Sequence, residues 1–201
     1  MRSTIQMTVA VLLAAVTAQP QAPADIALLQ ALRQGGYVIV MRHASSPREA
    51  PSKEIADPDN IHLERQLDET GRTTSVRMGR GLRDLKIPIG QVLSSPTYRA
   101  LETARLAQLP DPHPYPDLGD AGQSMQVATK AQAAWLRSQV MEFPTHTNTI
   151  IITHLPNIAA AFPQWSSGLA DGEALILGPD GKGGAKLVAR VKIEAWPQMR
   201  E

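Results

Sequence analysis

Four residues of this 201-residue chain carry reactive or charged groups directly after apolar segments or a short turn. Arg42 and His43 follow the apolar run at 37–41, His154 follows a run of β-branched residues, and Arg99 lies four positions after Ser95. Arginine presents a planar fork of N–H donors that suits phosphate oxygens, and histidine can act as a nucleophile or a donor. The Arg-His pair alone could equally be a strand end in which histidine caps the strand. Together, the four residues are the groups from which a phosphate pocket can be built.

The segments that must position these residues are predicted to be three buried strands. The runs at 37–41 and 149–153 are unbroken and rich in β-branched residues, and residues 91–94 form a shorter strand. Strands alternate with helices, which predicts an α/β fold with a mostly parallel sheet, and residues 173–177 and 186–193 predict an antiparallel hairpin near the end. Because the carboxyl ends of parallel strands lie at the same edge of a sheet, the four residues can surround one pocket.

Helix and loop signals complete this prediction. Apolar residues at helical spacing, or turn residues at a helix end, predict helices at 24–34, 68–85 and 123–143 and a short one from 155. Ser95 as N-cap and Pro96 at the first helical position predict a further helix that runs to about Gln108. The Pro-rich segments at 45–65 and 109–122 are predicted to be loops, and the first is long enough to act as a lid over a site.

Composition limits the class of protein. Hydrophobic residues make up 43% and charged residues 19% of the chain, as in ordinary globular proteins. There are no cysteines, which excludes thiol catalysis, disulfides and cysteine-based metal sites. Arg2 and a short apolar run that ends in small residues predict a signal peptide over 1–18, cleaved near Ala18. Residues 19–201 are predicted to form a single domain without net charge, so neither nucleic acid nor an anionic membrane surface is an expected partner.

Three motifs in this order resemble those of the histidine phosphatase superfamily, which has the phosphoglycerate-mutase-like fold. They are RH at 42–43, SSPTYRALETA at 94–104 and TH at 153–154, and the helix sequence LDETGRTTSVRMGRGL at 67–82 fits between them. The resemblance extends from Tyr37 to His154. It implies a three-layer α/β/α sandwich around a mostly parallel central sheet that includes an antiparallel element.

The resemblance also implies a role for each of the four residues. His43 would attack phosphorus and become a phosphohistidine, Arg42 and Arg99 would clamp the phosphoryl oxygens, and His154 would donate a hydrogen bond to one of them. Positive donors around these oxygens are what phosphoryl transfer requires, so no metal or other cofactor is expected. Ala44 stands where many members of the superfamily have glycine, a change that removes no catalytic group.

Members of the superfamily use a carboxylic acid to protonate the leaving oxygen. The sequence LGDAG at 118–122 fits the pattern around that acid, which makes Asp120 the first choice and Asp117 the alternative. Glu102 is expected to be a surface residue or to support the site from outside. His62, His113 and His146 are expected to be surface residues. Arg48, Lys53 and Arg65 belong to the lid and could meet an anionic substrate, although a solvated position is the default for them.

The expected protein is therefore an exported phosphatase, periplasmic or secreted, that acts on a small phosphorylated substrate. Two alternatives remain open at this point. One is a mutase of the same fold, which returns the phosphoryl group to its substrate, and the other is a phosphate-binding protein with little turnover. The loops at 45–65 and 109–122 would determine the substrate.

Overall fold

The computed structural model describes residues 23–120 and 127–199. Its centre is a six-stranded sheet with the order β3-β2-β4-β1-β5-β6. The strands are β1 Val38–Arg42, β2 Ile89–Ser94, β3 Pro112–Pro114, β4 Asn148–Thr153, β5 Ala174–Pro179 and β6 Ala185–Val191. The signal peptide predicted at 1–18 lies outside the described residues, as do residues 121–126 at the junction of a predicted loop and helix.

Strand β1 lies inside the sheet, where β4 pairs with it in parallel and β5 in antiparallel orientation. The first four residues of β1 and all of β4 are buried, as expected for apolar strands that are covered on both faces. Strands β2 and β3 extend the parallel part beyond β4, and β6 completes a hairpin with β5. The predicted mostly parallel sheet with an antiparallel element is confirmed.

Five α-helices of the described residues cover the two faces of the sheet. They are α1 Pro23–Gln34, α2 Glu69–Asp84, α3 Tyr98–Leu106, α4 Lys130–Val140 and α5 Leu155–Ala161, and 3-10 helices lie at Pro116–Leu118 and Ile193–Gln198. Alternate residues of β1 face two separate cores: Ile39 and Met41 pack with α1, α2 and α3, whereas Val38 and Val40 pack with α4 and α5. This is the predicted three-layer arrangement. In the described part of the chain, no helix is long and apolar enough to cross a membrane.

The strand register aligns the ends of β1 and β4. Arg42 pairs with Thr153, so His43 and His154 follow at the same level of the sheet. The amide of His43 donates to the Thr153 carbonyl at 3.0 Å, and the amide of Ser95 also donates to β4, at 2.8 Å. The residues that leave three parallel strands are therefore gathered at one edge.

Asp68 connects the segment after His43 to the start of α2. As the N-cap of this helix, its Oδ1 accepts from the amide of Gly71 at 2.7 Å, while its Oδ2 accepts from the hydroxyl of Ser45 at 2.7 Å. A Cβ atom at Gly71 would lie 2.1 Å from the Ser45 carbonyl oxygen, so only glycine allows this approach. The chain on both sides of Ala44 is thus held in place.

The predicted start of α3 is wrong. The helix begins at Tyr98 with Thr97 as its N-cap, rather than with Ser95. The hydroxyl of Ser95 accepts from the Thr97 amide at 3.2 Å and donates to the Thr97 hydroxyl at 3.1 Å, which places Ser95 in the turn before the helix. The N-cap predicted from the Ser-Pro pair therefore lies two residues before the observed one.

Two further boundaries differ from the predictions. The segment at 109–122 contains β3, which pairs with β2 at the edge of the sheet, where the missing N–H of proline is tolerated. The helix predicted at 123–143 is described from Lys130 to Val140, and a capping box of Thr129 and Gln132 begins it. The capping box determines where this helix begins, because the spacing of apolar residues does not indicate its start.

Candidate active site

A cavity of about 560 Å³ opens at the edge of the sheet where β1, β2 and β4 end. All four residues singled out by their positions in the sequence line it, and so does Asp120. The lining residues are Arg42, His43, Ser46, Arg48, Arg65, Arg99, Asp120, His154, Leu155, Pro156 and Asp171. The cavity thus combines two imidazoles, four guanidiniums and two carboxylates.

The ring of His43 is buried and has one defined tautomer. Its Nδ1 atom lies 2.7 Å from the carbonyl oxygen of Ala44, which can only accept, so Nδ1 carries the proton. The Nε2 atom is then unprotonated, and its lone pair accepts a hydrogen bond from Arg99 Nε at 3.2 Å. Burial, followed by the positive charge of Arg99, lowers the pKa of His43 to about 3. At neutral pH the ring is therefore uncharged, and Nε2 carries no proton.

Thr103 holds the Ala44 peptide that orients His43. Its Oγ1 accepts from the amide of Ala44 at 3.1 Å and donates to the Arg99 carbonyl at 2.8 Å. This fully buried hydroxyl therefore connects helix α3, which carries Arg99, to the residue that orients the ring of His43. The sequence analysis did not single out Thr103, because a threonine within a helix carries no sign of a distant partner.

Arg99 lies at the centre of the cavity floor and is fully buried. Its Nη2 atom forms an ion pair with Asp120 and lies 3.1 Å from His154 Nδ1. Its Nη1 atom is buried and has no hydrogen-bond partner among the described residues. Burial lowers the pKa of Arg99, and Asp120 opposes this effect. An unpaired buried donor is costly, so Nη1 is a ready contact for an incoming oxyanion.

His154 faces His43 across the cavity, with the ring centroids 5.2 Å apart. Because Arg99 donates to its Nδ1, the proton of the neutral ring lies on Nε2, which is 2.8 Å from the hydroxyl of Ser95. Burial and then Arg99 lower the pKa of His154 well below its ordinary value. Ser95 therefore holds the ring of His154 by a hydrogen bond. Its place in the sequence, directly after β2, did not predict this contact.

Arg42 is held by groups that precede β5. Its Nη2 atom lies 2.6 Å from Oδ1 of Asp171, and its Nη1 donates to the Leu169 carbonyl at 3.4 Å. Burial raises the pKa of Asp171, and the charge of Arg42 opposes this rise. Nothing in the sequence around Asp171 indicates this contact, because only the antiparallel pairing of β5 with β1 brings the segment beside Arg42.

The structure separates the carboxylates considered for acid catalysis. Asp120 is buried in the cavity, where its Oδ2 pairs with Arg99 and lies 3.6 Å from His154 Nδ1. Asp117 lies in a 3-10 helix and is not among the residues that line the cavity. Glu102 is buried behind the site, so the surface alternative for it is wrong. It accepts from the Leu67 amide at 2.9 Å, and burial raises its pKa.

The segment at 45–65 forms one wall of the cavity through Ser46, Arg48 and Arg65. Contacts near its end attach it to α3: the amide of Tyr98 donates to Glu64 Oε2 at 3.0 Å. Lys53, His62, His113 and His146 are exposed and do not line the cavity. Of the lid cations considered from the sequence, two therefore reach the site.

Comparison with known proteins defines the fold. No protein-family model matches the chain, and no curated protein matches its sequence. Among solved structures, the protein histidine phosphatase SixA bound to tungstate is 20% identical, with a TM-score of 0.57 over 78% of this chain and 97% of that one. A mycobacterial glucosyl-3-phosphoglycerate phosphatase bound to inorganic phosphate is 16% identical, with a TM-score of 0.55 over 80% and 99%.

A mutant phosphoserine phosphatase of Entamoeba histolytica in complex with phosphoserine is 12% identical, with a TM-score of 0.55 over 79% of this chain and 98% of that one. These likenesses cover nearly the whole of each solved chain and agree with the sheet and helix arrangement described above. The chain has the fold of the histidine phosphatases.

Proposed function

We propose that the protein is a phosphatase that hydrolyses a phosphomonoester through a phosphohistidine on Nε2 of His43, without the need for a metal ion. The observation that carries this proposal is the hydrogen bond from His43 Nδ1 to the Ala44 carbonyl. It leaves the Nε2 lone pair directed at Arg99, in a cavity where Arg42 and His154 also lie. A neutral, oriented imidazole among positive donors is the arrangement that attack on phosphorus requires.

The reaction would proceed in two balanced steps. First, a substrate that binds as its monoanion gives its proton to the carboxylate of Asp120. A bond forms between His43 Nε2 and phosphorus, the P–O ester bond breaks, and the leaving oxygen takes this proton from Asp120. A water molecule then attacks phosphorus, the N–P bond breaks, and the proton of the water passes to Asp120. Dividing hydrolysis in this way replaces one difficult step by two easier ones.

Arg99 explains how a substrate would engage the site. Its Nη1 offers an unused donor, and its Nη2 holds the carboxylate of Asp120 in the free protein. An arriving phosphoryl oxygen would replace that carboxylate on Nη2, which would release Asp120 to face the leaving oxygen. In the free protein the His154 proton lies on Nε2, toward Ser95. For Nδ1 to donate to a phosphoryl oxygen, this proton would have to move to Nδ1, and the Ser95 hydroxyl would turn from Thr97 to donate to Nε2.

The Arg99–Asp120 pair also favours a second candidate, a phosphate-binding protein with slow turnover. If Asp120 stays on Arg99 when phosphate is bound, no acid reaches the leaving group. The structural neighbours act on different phosphorylated compounds, so their names support a phosphorylated ligand without assigning a substrate. We also propose export of the protein, on the basis of the N-terminal sequence alone.

Hydrolysis of para-nitrophenyl phosphate in EDTA tests the proposal. The wild-type protein should turn over the substrate, and the His43→Ala variant should lose nearly all activity. His146→Ala is the matched control, since this histidine is exposed and does not line the cavity. Equal turnover by wild type and His43→Ala would refute the mechanism. Tight binding of vanadate without turnover by any variant would favour the phosphate-binding protein.

A further inference from the structure

We propose that the mouth of the cavity contains a second anion-binding subsite, made by Arg65 and Arg48. The substrate class would then be a phosphomonoester whose leaving group carries an anionic group of its own. This inference rests on the proposed phosphatase function, because the inner arginines are assigned there to the transferred phosphoryl group.

Arg65 has a fixed position in the cavity wall. Its Nε donates to the carbonyl of Pro47 at 2.6 Å, and its Nη2 donates to the carbonyl of Ser46 at 3.2 Å. These two backbone contacts hold the half-buried guanidinium against the lid while it lines the cavity. Its geometry is therefore set before a ligand arrives, which reduces the entropy that binding would cost.

The charges of the cavity are unevenly paired. Arg42 forms an ion pair with Asp171 and Arg99 with Asp120. Among the described residues, by contrast, neither Arg65 nor Arg48 has a carboxylate within ion-pairing distance. The two carboxylates thus offset the charges of Arg42 and Arg99, and the remaining positive charge of the cavity lies on the half-buried Arg65 and the exposed Arg48.

Arg65 and the exposed side chain of Arg48 line the same cavity. Burial lowers the pKa of Arg65; the charges of Asp120 and Asp171 oppose this effect, whereas the like charges of Arg42 and Arg48 contribute to it. An anion placed beside Arg65 and Arg48 would relieve that repulsion. Low-dielectric walls strengthen such an interaction and concentrate the field at the cavity mouth.

The size of the cavity leaves room for this second group. A phosphoryl group displaces the volume of a few water molecules, each of roughly 30 Å³, and the whole cavity measures about 560 Å³. A neutral leaving group would fill the remainder without compensating the two outer guanidiniums. A leaving group with a carboxylate or a further phosphate would pair with them by charge-assisted hydrogen bonds.

Two substrates with similar phenol leaving groups test the subsite. They are 4-(carboxymethyl)phenyl phosphate, which carries a second anion, and 4-(2-hydroxyethyl)phenyl phosphate, which does not. The wild-type protein should prefer the carboxylate in kcat/KM by about tenfold, the size of one charge-assisted hydrogen bond. A ratio near one would overturn the proposal.

Arginine variants locate the source of that preference. Arg65→Gln and Arg48→Gln should each lower the ratio of the two kcat/KM values toward one, and Arg48 is exposed, so its replacement should leave the fold intact. Arg80→Gln removes the same charge from an exposed position of α2, outside the cavity lining, and should keep the wild-type ratio. If Arg65→Gln lowers kcat/KM for both substrates by the same factor, Arg65 contacts the transferred phosphoryl group instead, and the subsite is refuted.

Binding of the matching benzylphosphonates separates this proposal from the proposed function. Calorimetric titration should show tighter binding of the carboxylate-bearing phosphonate by about tenfold, whether or not the phosphate esters are hydrolysed. No turnover together with this preference would refute the phosphatase but support the subsite. Turnover without the preference would support the phosphatase and refute the subsite.

Discussion

The hydroxyl of Thr103 accepts a hydrogen bond from the amide of Ala44 at 3.1 Å, across the gap between α3 and the end of β1. The carbonyl of the same alanine accepts from Nδ1 of His43 at 2.7 Å. Ala44 is thus held from one side and orients the candidate nucleophile on the other. The orientation of the His43 ring therefore depends on Thr103, which lies sixty positions further along the chain.

Replacement of Thr103 by valine, which keeps the shape but removes the hydroxyl, should lower kcat by roughly ten- to a hundredfold, because small displacements of a catalytic group cost this much. The buried amide of Ala44 would lose its partner, at a cost of about 1–3 kcal/mol in the free energy of unfolding. Thr103→Ser should restore most of the activity. Steady-state kinetics and the ¹⁵N chemical shifts of His43 check this; unchanged kcat and shifts in Thr103→Val would contradict it.

Asp120→Asn should slow phenyl phosphate far more than para-nitrophenyl phosphate, since only the poorer leaving group needs a proton from the protein. General acid catalysis contributes about 10²–10⁴-fold, which sets the expected loss for phenyl phosphate. Asp117→Asn is the comparison variant and should behave like the wild type. If Asp117→Asn shows the leaving-group effect and Asp120→Asn does not, the acid has been wrongly assigned.

Ser95→Ala should reduce kcat/KM by about tenfold, because His154 Nε2 would lose its partner at 2.8 Å and keep only the longer contact of 3.4 Å with the Thr97 hydroxyl. Ser95→Thr retains the hydroxyl and should recover much of this loss. Kinetics with para-nitrophenyl phosphate provides the measurement. Wild-type kcat/KM in Ser95→Ala would show that His154 is positioned without Ser95.

The pKa of His43 predicts how stability changes with pH. Its folded-state pKa of about 3 lies below its ordinary value of 6.5, so between these values the unfolded chain binds a proton that the folded protein does not. Stability contributed by the neutral ring is therefore complete above pH 6.5 and is lost as the pH falls toward 3.

Urea unfolding at pH 7 and pH 5 checks this linkage. The wild type should lose more stability on acidification than His43→Asn, with a difference that approaches about 1.4 kcal/mol per pH unit for one proton. His146→Asn, at an exposed position, should follow the wild type. The same pH dependence in His43→Asn and wild type would show that His43 is not held neutral.

Much of this architecture could be predicted because local patterns determine it. The unbroken β-branched runs specify β1 and β4, and a parallel sheet brings their ends together, which is why His43 and His154 share a cavity. The N-cap of α2 at Asp68 is also determined locally, since its side chain accepts from the amide of Gly71 in the first turn of the helix.

The parts that could not be predicted depend on distant pairings. Asp171 reaches Arg42 only because β5 runs antiparallel beside β1, and no local signal specifies that neighbour. Ser95 carries a helix-start signal, yet its hydroxyl serves His154 and the turn before α3. In each case a contact with a distant element overrides or supplements what the local sequence favours.

Direct detection of the phosphoenzyme tests the central claim. The wild-type protein would be mixed with para-nitrophenyl phosphate, quenched in alkaline detergent within milliseconds and analysed by peptide mass spectrometry. One phosphoryl group should be found on His43, attached at Nε2, and none in His43→Ala. Turnover without a phosphorylated histidine, or a phosphoryl group on His154 instead, would show that His43 is not the nucleophile.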